Sequence, residues 1–235
     1  MSSNLVLIPV YNEEKHLQGL LHRLREVYQG DVLFVDDGSS DCSPKMLATF
    51  EDHRTKVVRQ PENRGYGATL IRGFNEAIRA GYEFLVTMDS DGQHRPIWVP
   101  QFFEAIRDWD IVSGSRYRDE SKRGDDAPVD RRAINKTVTE LINKVTGFYL
   151  TDAFCGFKAY RVSSLARLSL EESGYSMPLQ LWIQAKVFGL RVTELPVSRI
   201  YDDPNRSFGG GLDDPEKRLA YYLETIANER ERWKI

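Results

Sequence analysis

The sequence of 235 residues predicts an α/β protein whose central sheet is mostly parallel and flanked by helices. Short, continuous apolar runs alternate with stretches in which apolar residues recur at the helical period. Strands buried on both faces are typical of parallel sheets, because the helical crossovers cover both faces of the sheet. Ligands bind such sheets beyond the carboxyl ends of the strands, so the residues at those ends are the first candidates for a functional site.

The first half of the chain alternates strand and helix. Strands are predicted at residues 5–8, 32–35, 56–58, 84–88 and 110–113. Helices are predicted after Asn12, from about Ser43, and over residues 67–79 and 99–107. Asn12 is expected to cap the first of these helices, since Asn side chains accept hydrogen bonds from the amides of a first helical turn.

The second half is less regular. Residues 117–130 are charged and lack apolar periodicity, and a connection of that length predicts a mobile loop beside an active site. The elements predicted after it are a helix over 131–145, a strand over 157–160, a helix over 179–188, a strand over 191–197, a flexible turn at 209–211 and a helix from Pro215 to Trp233. Apolar residues in this last helix predict packing against the rest of the chain, with contact to a membrane surface or a partner as the alternative.

Composition excludes several classes of protein. With 32 Lys and Arg against 35 Asp and Glu, the chain lacks the basic excess of a dedicated nucleic-acid binder. Its longest apolar runs have about six residues, whereas a transmembrane helix needs about 20. The N-terminus lacks the pattern of a secretion signal. The distant Cys42 and Cys155 predict buried free thiols in a reduced compartment, with a disulfide as the alternative. The expected location is therefore the cytoplasm.

An acidic pair follows the strand predicted at residues 84–88. Asp89 and Asp91 are separated by one residue, so their carboxylates lie on one side of an extended chain. Two carboxylates this close repel each other unless a positive charge lies between them. Mg²⁺ or Mn²⁺ suits such a pair, because these ions accept few protein carboxylates and complete their coordination with water and phosphate. A solvated turn is the alternative, but the position at a strand end favours the metal site.

Two further polar segments lie beside predicted strands and helices. Asp36 and Asp37 end the second strand, where they either cap the next helix or accept hydrogen bonds from a nucleoside. Residues 63–68 contain two glycines at the start of a predicted helix, where backbone amides and the helix dipole favour an anion. The glycine-rich loop with a lysine that is typical of kinases and nucleotide hydrolases does not occur, which disfavours that chemistry.

Five segments together resemble the family 2 glycosyltransferases. They occur in the family's order at residues 9–14, 35–41, 63–68, 89–94 and 114–117, and the resemblance extends over about residues 5–200. Within the family, the chain resembles most the transferases that attach sugars to polyprenyl or dolichyl phosphate. The resemblance implies a Rossmann-like GT-A fold and an inverting, metal-dependent transfer from a UDP- or GDP-hexose. The sequence has no internal repeat and no low-complexity linker, which predicts one domain over 1–235. The resemblance implies a nucleotide-sugar-binding half at about 1–115 and an acceptor-binding half at about 116–235.

The resemblance also implies which residues hold the donor and a divalent ion. Asp89, Asp91 and Gln93 would hold Mg²⁺ or Mn²⁺ on the diphosphate. Such an ion stabilises the charge that develops on a departing nucleoside diphosphate. The implied donor-binding residues are Pro9, Tyr11, Asn12, Glu13, Asp36, Asp37, Arg64, Gly67, Ala68 and Asp89.

The implied acceptor is a polyprenyl phosphate at the membrane surface. A phosphate monoester has a second pKa of about 6, so at neutral pH it needs cations to hold it rather than a strong base. The implied cations are Arg116, Arg131, Arg132 and Arg206, with a surface position or an ordinary ion pair as the alternative for each. Arg116 and Arg131 are the catalytic candidates, together with Asp152, which is the candidate base if the acceptor is a hydroxyl.

Two departures from the family pattern concern the acceptor. Gln180 stands where the family usually has an acid, and residues 205–210 lack the family's lysine, so that Arg206 would supply the cation there. Two other functions stay open: transfer to a hydroxyl of a saccharide or small molecule, and nucleotide-sugar binding without turnover. A lipid phosphate acceptor adds peripheral association with the inner membrane face to the expected cytoplasmic location. No oligomeric state is predicted.

Overall fold

A computed structural model of the chain describes residues 3–118, 128–198, 200 and 207–235. Within these residues a seven-stranded sheet lies between two layers of helices, with the strand order β3-β2-β1-β4-β6-β5-β7. The strands are β1 (Asn4–Val10), β2 (Asp31–Asp36), β3 (Thr55–Arg59), β4 (Phe84–Thr87), β5 (Ile111–Ser115), β6 (Lys158–Arg161) and β7 (Val192–Pro196). The helices are α1 (Leu17–Val27), α2 (Ser43–Phe50), α3 (Tyr66–Ala80), α4 (Val99–Ala105), α5 (Val129–Thr146), α6 (Val162–Leu165), α7 (Met177–Val187) and α8 (Pro215–Trp233).

The sheet is parallel except at β6. Strands β3, β2, β1 and β4 run parallel to one another, as do β5 and β7, whereas β6 runs antiparallel to β4 and β5. The predicted mostly parallel sheet is confirmed, but the direction of β6 was not predicted. Because β6 is reversed, its first residue, Lys158, pairs with Thr87 and Ser113 near the carboxyl ends of β4 and β5. The segment leading into β6 therefore reaches the edge of the sheet where the candidate residues lie.

The side chains of β1 alternate between the two core layers. Leu5 and Leu7 pack in the layer that contains α3, α5, α7 and α8. Val6 and Ile8 point to the opposite face and pack with α1, α2 and α4. Successive side chains of a strand point to opposite faces, so a strand covered on both sides must be apolar at every position. The continuous apolar run at the start of the chain reflects this double burial.

The first helix begins later than predicted. α1 starts at Leu17, and Asn12 instead adopts a left-handed backbone conformation with φ of 57°. The Asn12 Oδ1 atom accepts hydrogen bonds from the backbone amides of Ser40 at 2.8 Å and Asp41 at 3.3 Å. The amide of Asn12 donates to Ser39 Oγ at 2.9 Å. The predicted cap was wrong because the segment after β2 supplies the hydrogen-bond partners that a first helical turn would otherwise provide.

The other predicted elements are confirmed to within two residues wherever an end was predicted. The structure adds the one-turn helix α6, and a 3-10 helix over Gly210–Asp213 occupies part of the predicted flexible turn. Of the predicted loop at 117–130, residues 119–127 lie outside the described residues. Both cysteines are free, as predicted, but only Cys155 is buried and Cys42 is exposed.

The C-terminal helix α8 packs against the rest of the chain. Asp214 caps it by accepting hydrogen bonds from the amides of Glu216 at 2.9 Å and Lys217 at 3.3 Å. Tyr222 and Ile226 join the core layer that contains α5 and α7. Packing was the role predicted for this helix, and it is confirmed. Among the described helices, none combines the length and the hydropathy that a membrane span requires.

Candidate active site

A cleft of about 840 Å³ opens beyond the carboxyl ends of β1, β2 and β4 and extends toward α5 and α8. Carboxylates line one part of it and guanidinium groups line another. We refer to the first as the acidic end, formed by Glu13, Asp37, Asp89 and Asp91. We refer to the second as the basic end, formed by Arg116, Arg131 and Arg218.

Asp37 joins the end of β2 to the loop that opens α3. Its Oδ1 atom accepts hydrogen bonds from Gln60 Nε2 at 2.6 Å and the Arg64 amide at 2.8 Å, and its Oδ2 atom accepts from the Gly65 amide at 3.0 Å. Gly65 has φ of 100°, a conformation that residues with a Cβ rarely adopt. Burial raises the pKa of Asp37 more than these amides lower it. The carboxylate is thus fixed in place where it lines the cleft.

Residues at the end of β1 complete this wall of the cleft. Pro9 and Tyr11 line it, and the Tyr11 ring is 45% exposed, so it is accessible to a ligand. The backbone amide of Glu13 donates to Ser43 Oγ at 2.9 Å, and His16 Nδ1 lies 2.8 Å from Glu13 Oε2. The carboxylate of Glu13 is therefore held at the cleft by its own neighbours.

The predicted metal ligands come together on the loop after β4. Asp89, Asp91 and Gln93 all line the cleft. Asp89 Oδ1 accepts a hydrogen bond from Tyr66 Oη at 2.9 Å, and the Gln93 amide donates to Asp91 Oδ1 at 2.9 Å. Burial, followed by the charge of Asp89, raises the pKa of Tyr66 well above its ordinary value, so the hydroxyl is the donor. Both carboxylates therefore have defined positions at the acidic end.

These residues fit a divalent ion with few protein ligands. Among the described residues there is no cluster of three or more His, Cys, Asp or Glu side chains that could enclose an ion. The side chains of Asp89, Asp91 and Gln93 supply oxygen ligands at an open cleft. This suits Mg²⁺ or Mn²⁺, whose coordination is completed by water and phosphate. A Cβ atom at Gly156 would lie 2.6 Å from Asp89 Oδ2, so a side chain at this position would displace the carboxylate.

Arg116, at the basic end, is oriented by a buried carboxylate. Its Nε and Nη2 atoms donate to Asp152 Oδ2 at 2.6 Å and Oδ1 at 2.9 Å, a bidentate pair. Asn135 Nδ2 also donates to Asp152 Oδ1, at 2.8 Å. Burial would raise the pKa of Asp152, but the charge and hydrogen bonds of Arg116 outweigh it and hold that pKa below its usual value. Asp152 is therefore an ionised partner that fixes the plane of the Arg116 guanidinium.

The position of Asp152 does not fit the predicted role of a base. Its side chain is 0% exposed and does not line the cleft, and Arg116 and Asn135 occupy both of its oxygens. A base must reach the proton that it removes. A second buried acid, Glu194 on β7, accepts hydrogen bonds from the amides of Thr151 and Asp152 and so holds this segment against the sheet.

Arg131 and Arg218 share one aromatic ring. Their guanidinium carbons lie 4.6 Å and 4.7 Å from the centroid of the Phe208 ring, within the range of a cation–π contact. Arg218 also donates from Nη2 to Asp130 Oδ2 at 2.5 Å and from Nη1 to the Leu212 carbonyl at 2.8 Å. Its hydrogen bond lowers the pKa of Asp130 despite the partial burial of that carboxyl.

Sequence reasoning missed Arg218, which is 2% exposed and lines the cleft. The signal was its spacing. Arg218 precedes Tyr222 and Ile226 at intervals of four residues, so it lies on the buried face of α8. A charged residue on an otherwise apolar helix face needs a partner or a function.

Apolar side chains border the basic end. They come from α5, α7, α8 and the loops between them, and they line the cleft next to the arginines. These residues are Ile134, Phe154, Tyr175, Pro178, Phe208, Leu212 and Tyr222. The basic end thus combines cations with an apolar wall, whereas the acidic end combines carboxylates with backbone amides.

Comparison with protein families identifies the chain. The model of a family described as glycosyl transferase family 2 matches residues 5–169. The chain belongs to glycosyl transferase family 2. It is 34% identical over 215 residues to the undecaprenyl-phosphate mannosyltransferase of Micrococcus luteus, an alignment that covers 88% of each chain. It is 31% identical over 202 residues to the polyprenol monophosphomannose synthase of Mycolicibacterium smegmatis, covering 83% of this chain and 76% of that one.

Solved structures of other proteins share the fold. Glucosyl-3-phosphoglycerate synthase from Mycobacterium tuberculosis, in complex with Mn²⁺, uridine diphosphate and phosphoglyceric acid, superposes with a TM-score of 0.72 at 17% identity. The superposition covers 96% of this chain and 78% of that chain. The GT-A fold that the sequence resemblance implied is confirmed, and this family 2 protein is a glycosyltransferase.

Several of the predicted site residues do not line the cleft of this glycosyltransferase. Arg132 is exposed on α5, and Asp36 is buried beside Arg59, whose Nε lies 3.1 Å from Asp36 Oδ2. The Asn12 side chain accepts a hydrogen bond from the Ser40 amide, and the Arg64 backbone amide donates to Asp37. Arg206 lies outside the described residues. The predicted residues absent from the lining of the cleft are Asn12, Asp36, Arg64, Gly67, Ala68, Arg132 and Asp152.

Gly67 and Ala68, where an anion site was predicted, pack against the loop at residues 172–174. A Cβ atom at Gly67 would overlap the carbonyl oxygen of Glu172, and the Ala68 amide donates to the Ser173 carbonyl at 3.0 Å. Gln180 holds the same loop, because its Oε1 atom accepts hydrogen bonds from the amides of Glu171 at 2.7 Å and Glu172 at 2.9 Å. The side-chain amide of Gln180 therefore holds the loop against which the start of α3 packs.

Proposed function

We propose that this glycosyltransferase moves a sugar from a nucleoside diphosphate sugar to a polyprenyl phosphate, with inversion at the anomeric carbon. One observation carries the proposal: a single cleft joins a carboxylate-lined end to an end where arginines border an apolar wall. The first end suits a metal–diphosphate and the second suits a phosphate carried on a hydrocarbon chain. A UDP- or GDP-hexose is the proposed donor.

The acidic end binds the donor in this proposal. Pro9, Tyr11 and Asp37 hold the nucleoside, and Glu13 lies beside them on the same wall. Asp89, Asp91 and Gln93 are the residues that would hold Mg²⁺ or Mn²⁺ against the diphosphate. The bound ion would supply stabilisation of the negative charge that develops on the leaving group. Solved neighbours in complex with Mn²⁺ and uridine diphosphate, and with Mg²⁺ and uridine diphosphate, support this choice of cofactor.

The basic end holds the acceptor. Arg116 and Arg131 bind the phosphate oxygens, and Asp152 keeps the Arg116 guanidinium in one orientation. The apolar wall that includes Ile134 and Phe154 lies next to these cations and accommodates the first part of the hydrocarbon chain. A free sugar or another polar alcohol would leave this wall without a partner, which favours the lipid over a hydroxyl acceptor.

The chemistry requires no protein base. An ionised phosphate oxygen attacks the anomeric carbon and forms the new carbon–oxygen bond, while the bond between that carbon and the diphosphate oxygen breaks. The electron pair of the broken bond leaves with the nucleoside diphosphate, and no proton has to be removed because the phosphate is already ionised at neutral pH. The burial of Asp152 is consistent with such a reaction.

The relatives support the acceptor and the place of the reaction. Both curated relatives described above are named for sugar transfer to polyprenyl carriers, and the chain covers most of the length of each. Polyprenyl phosphates are anchored in membranes by their hydrocarbon chains. Peripheral association with the inner face of the membrane therefore belongs to the same proposal.

An acceptor panel tests the proposal. The purified protein is incubated with Mn²⁺ and radiolabelled UDP- and GDP-hexoses, together with undecaprenyl phosphate, undecaprenol or phosphoglyceric acid. We expect label in the organic phase only with undecaprenyl phosphate, and only with the metal present. Transfer to undecaprenol or to phosphoglyceric acid instead would contradict the proposed acceptor, and donor binding without any turnover would contradict the proposed reaction.

A further inference from the structure

Tyr66 touches the metal-binding carboxylate although the motif pattern assigns it no role. It is the first residue of α3, and its hydroxyl donates to Asp89 Oδ1 at 2.9 Å. A hydrogen bond to a charged acceptor is about twice as strong as one between neutral groups. Tyr66 thus contributes an oriented contact inside the proposed metal site without being an ion ligand itself.

Two further contacts leave the Asp89 carboxylate little freedom. The Asp89 amide donates to His94 Nδ1 at 2.8 Å, which fixes the backbone from which the side chain projects. On the other side, a Cβ atom at Gly156 would lie 2.6 Å from Asp89 Oδ2 and 2.7 Å from Tyr66 Oη. The carboxylate and the hydroxyl therefore pack together against the Gly156 backbone, in a space that a methyl group would fill.

The Tyr66 ring is itself held in place. It stacks on the ring of Tyr175, with centroids 5.7 Å apart and an angle of 16° between the planes. The preceding residue, Gly65, donates its amide to Asp37 Oδ2 at 3.0 Å. One turn of chain at the start of α3 therefore contacts both Asp37 and Asp89, the two carboxylates that the proposed function assigns to the nucleoside and to the metal.

We propose that Tyr66 is a positioning residue whose hydrogen bond to Oδ1 of Asp89 fixes the orientation in which this carboxylate meets the divalent ion. The inference rests on the proposed role of Asp89 in metal binding. An ion such as Mg²⁺ tolerates little deviation in the direction of its ligands and keeps several positions for water and phosphate. A carboxylate held in one orientation meets the first requirement, and partners that orient ligands typically change metal affinity about 10- to 100-fold when removed.

The test removes the hydroxyl and keeps the ring. In Tyr66→Phe, we expect Mn²⁺ affinity in the presence of UDP or GDP, measured by electron paramagnetic resonance titration, to fall about 10- to 100-fold. Nucleotide affinity in EDTA and the melting temperature should stay near the wild-type values. Tyr82→Phe is the matched control, because it removes another tyrosine–aspartate hydrogen bond, Tyr82 Oη to Asp31 Oδ2 at 3.0 Å, away from the cleft.

Asp89→Asn separates the two levels of the proposal. If Asp89→Asn loses Mn²⁺ binding and Tyr66→Phe binds Mn²⁺ like the wild type, the positioning role is overturned and the metal site stands. If Asp89→Asn also binds Mn²⁺ normally, the proposed metal site itself fails. A Tyr66→Phe variant that loses metal-free nucleotide affinity by the same factor has only a structural defect, which also overturns the inference.

Discussion

The two ends of the cleft are built in different ways. At the acidic end, the carboxylates follow strands of the sheet, and those of Asp37, Asp89 and Asp91 accept hydrogen bonds from backbone amides or a hydroxyl group. At the basic end, Arg116 and Arg218 come from separate elements and are held by carboxylates, Asp152 and Asp130. The hydrogen-bonded register of the sheet positions the first set, and buried ion pairs position the second.

This difference has an energetic consequence. A strand end is placed by the whole sheet, so removing one acidic side chain leaves its neighbours in position. A buried guanidinium depends strongly on its carboxylate partner, because the charge has lost solvation that the carboxylate helps to compensate. We therefore expect substitution of Asp91 at the acidic end to act mainly on ligand binding, and substitutions of the partner acids at the basic end to act on stability as well.

Asp91→Ala should give the largest loss of activity. Removing one of two carboxylates from the proposed metal site is expected to lower transfer at least about 100-fold. The melting temperature should change little, because Asp91 lies on the loop after β4 and its carboxylate lines the cleft. Sugar transfer and Mn²⁺-dependent nucleotide binding are the measurements, with the exposed Asp108→Ala as the control. Unchanged metal-dependent binding in Asp91→Ala would contradict the metal assignment.

Asp152→Asn should produce the opposite pattern. The shape of the side chain is kept, but the Arg116 charge loses its partner, which typically costs about 3–5 kcal/mol when the pair is buried. A displaced guanidinium should also lower kcat/KM for the lipid phosphate by up to about 100-fold. Mn²⁺–nucleotide affinity should not change. The readouts are urea denaturation, acceptor kinetics and nucleotide binding.

A double-variant cycle shows whether Asp152 acts through Arg116. If it does, adding Asp152→Asn to Arg116→Met should lower kcat/KM for the lipid phosphate little further, because the guanidinium that Asp152 orients is already gone. Fully additive losses would mean that Asp152 contributes independently of Arg116, as a base would. That result would restore a hydroxyl acceptor as the better hypothesis.

The stability of the basic end should depend on pH in the acid range. Because Arg116 lowers the pKa of Asp152 below its ordinary value of 3.8, the folded state favours the ionised carboxylate. The pair therefore stabilises the fold fully above that ordinary value, and its contribution is lost as the pH falls through the lowered pKa. The difference in unfolding free energy between the wild type and Asp152→Asn should shrink below about pH 3.8. A difference that is constant from pH 6 to pH 3 would exclude this linkage.

The same contrast explains what the sequence could predict. Apolar runs located the strands, and strand ends located Asp37, Asp89 and Asp91, because a parallel sheet brings those ends to one edge. The reversal of β6 was not predictable, since an apolar run carries no direction. The cap at Asn12 failed because its partners, Ser40 and Asp41, lie 28 and 29 residues further along the chain.

At the basic end, tertiary contacts decided what local patterns could not. Asp152 matched a motif, but its burial behind Arg116 depends on the packing of α5 and β7 around it. The glycine at position 67 suggested an anion site, whereas its backbone is needed for close contact with the loop at 172–174. Arg218 came from α8, beyond the part of the chain that the family model matches. Long-range contacts of this kind leave no local signal except a charge on an apolar helix face.

Two adjacent arginines on α5 provide the finest test of how the basic end is built. Arg131 lines the cleft and contacts the Phe208 ring, whereas Arg132 is exposed and does not line it. Consecutive residues of a helix point about 100° apart, so one of them faces the ligand and the other faces solvent. Arg131→Ala should raise the KM for lipid phosphate about 10-fold or more, the effect of losing a charged hydrogen bond.

Arg132→Ala, the matched variant, removes the same charge one residue away and should change that KM by less than about twofold, because an exposed charge is screened by water and salt. Steady-state kinetics with undecaprenyl phosphate at two salt concentrations measure both variants. Equal effects of the two substitutions, both reduced by salt, would mean that the basic end attracts the acceptor through its overall field. Unequal effects that persist at high salt would instead show that Arg131 makes a specific contact in the cleft. Its neighbours Arg116 and Arg218 are held for such contacts by Asp152 and Asp130.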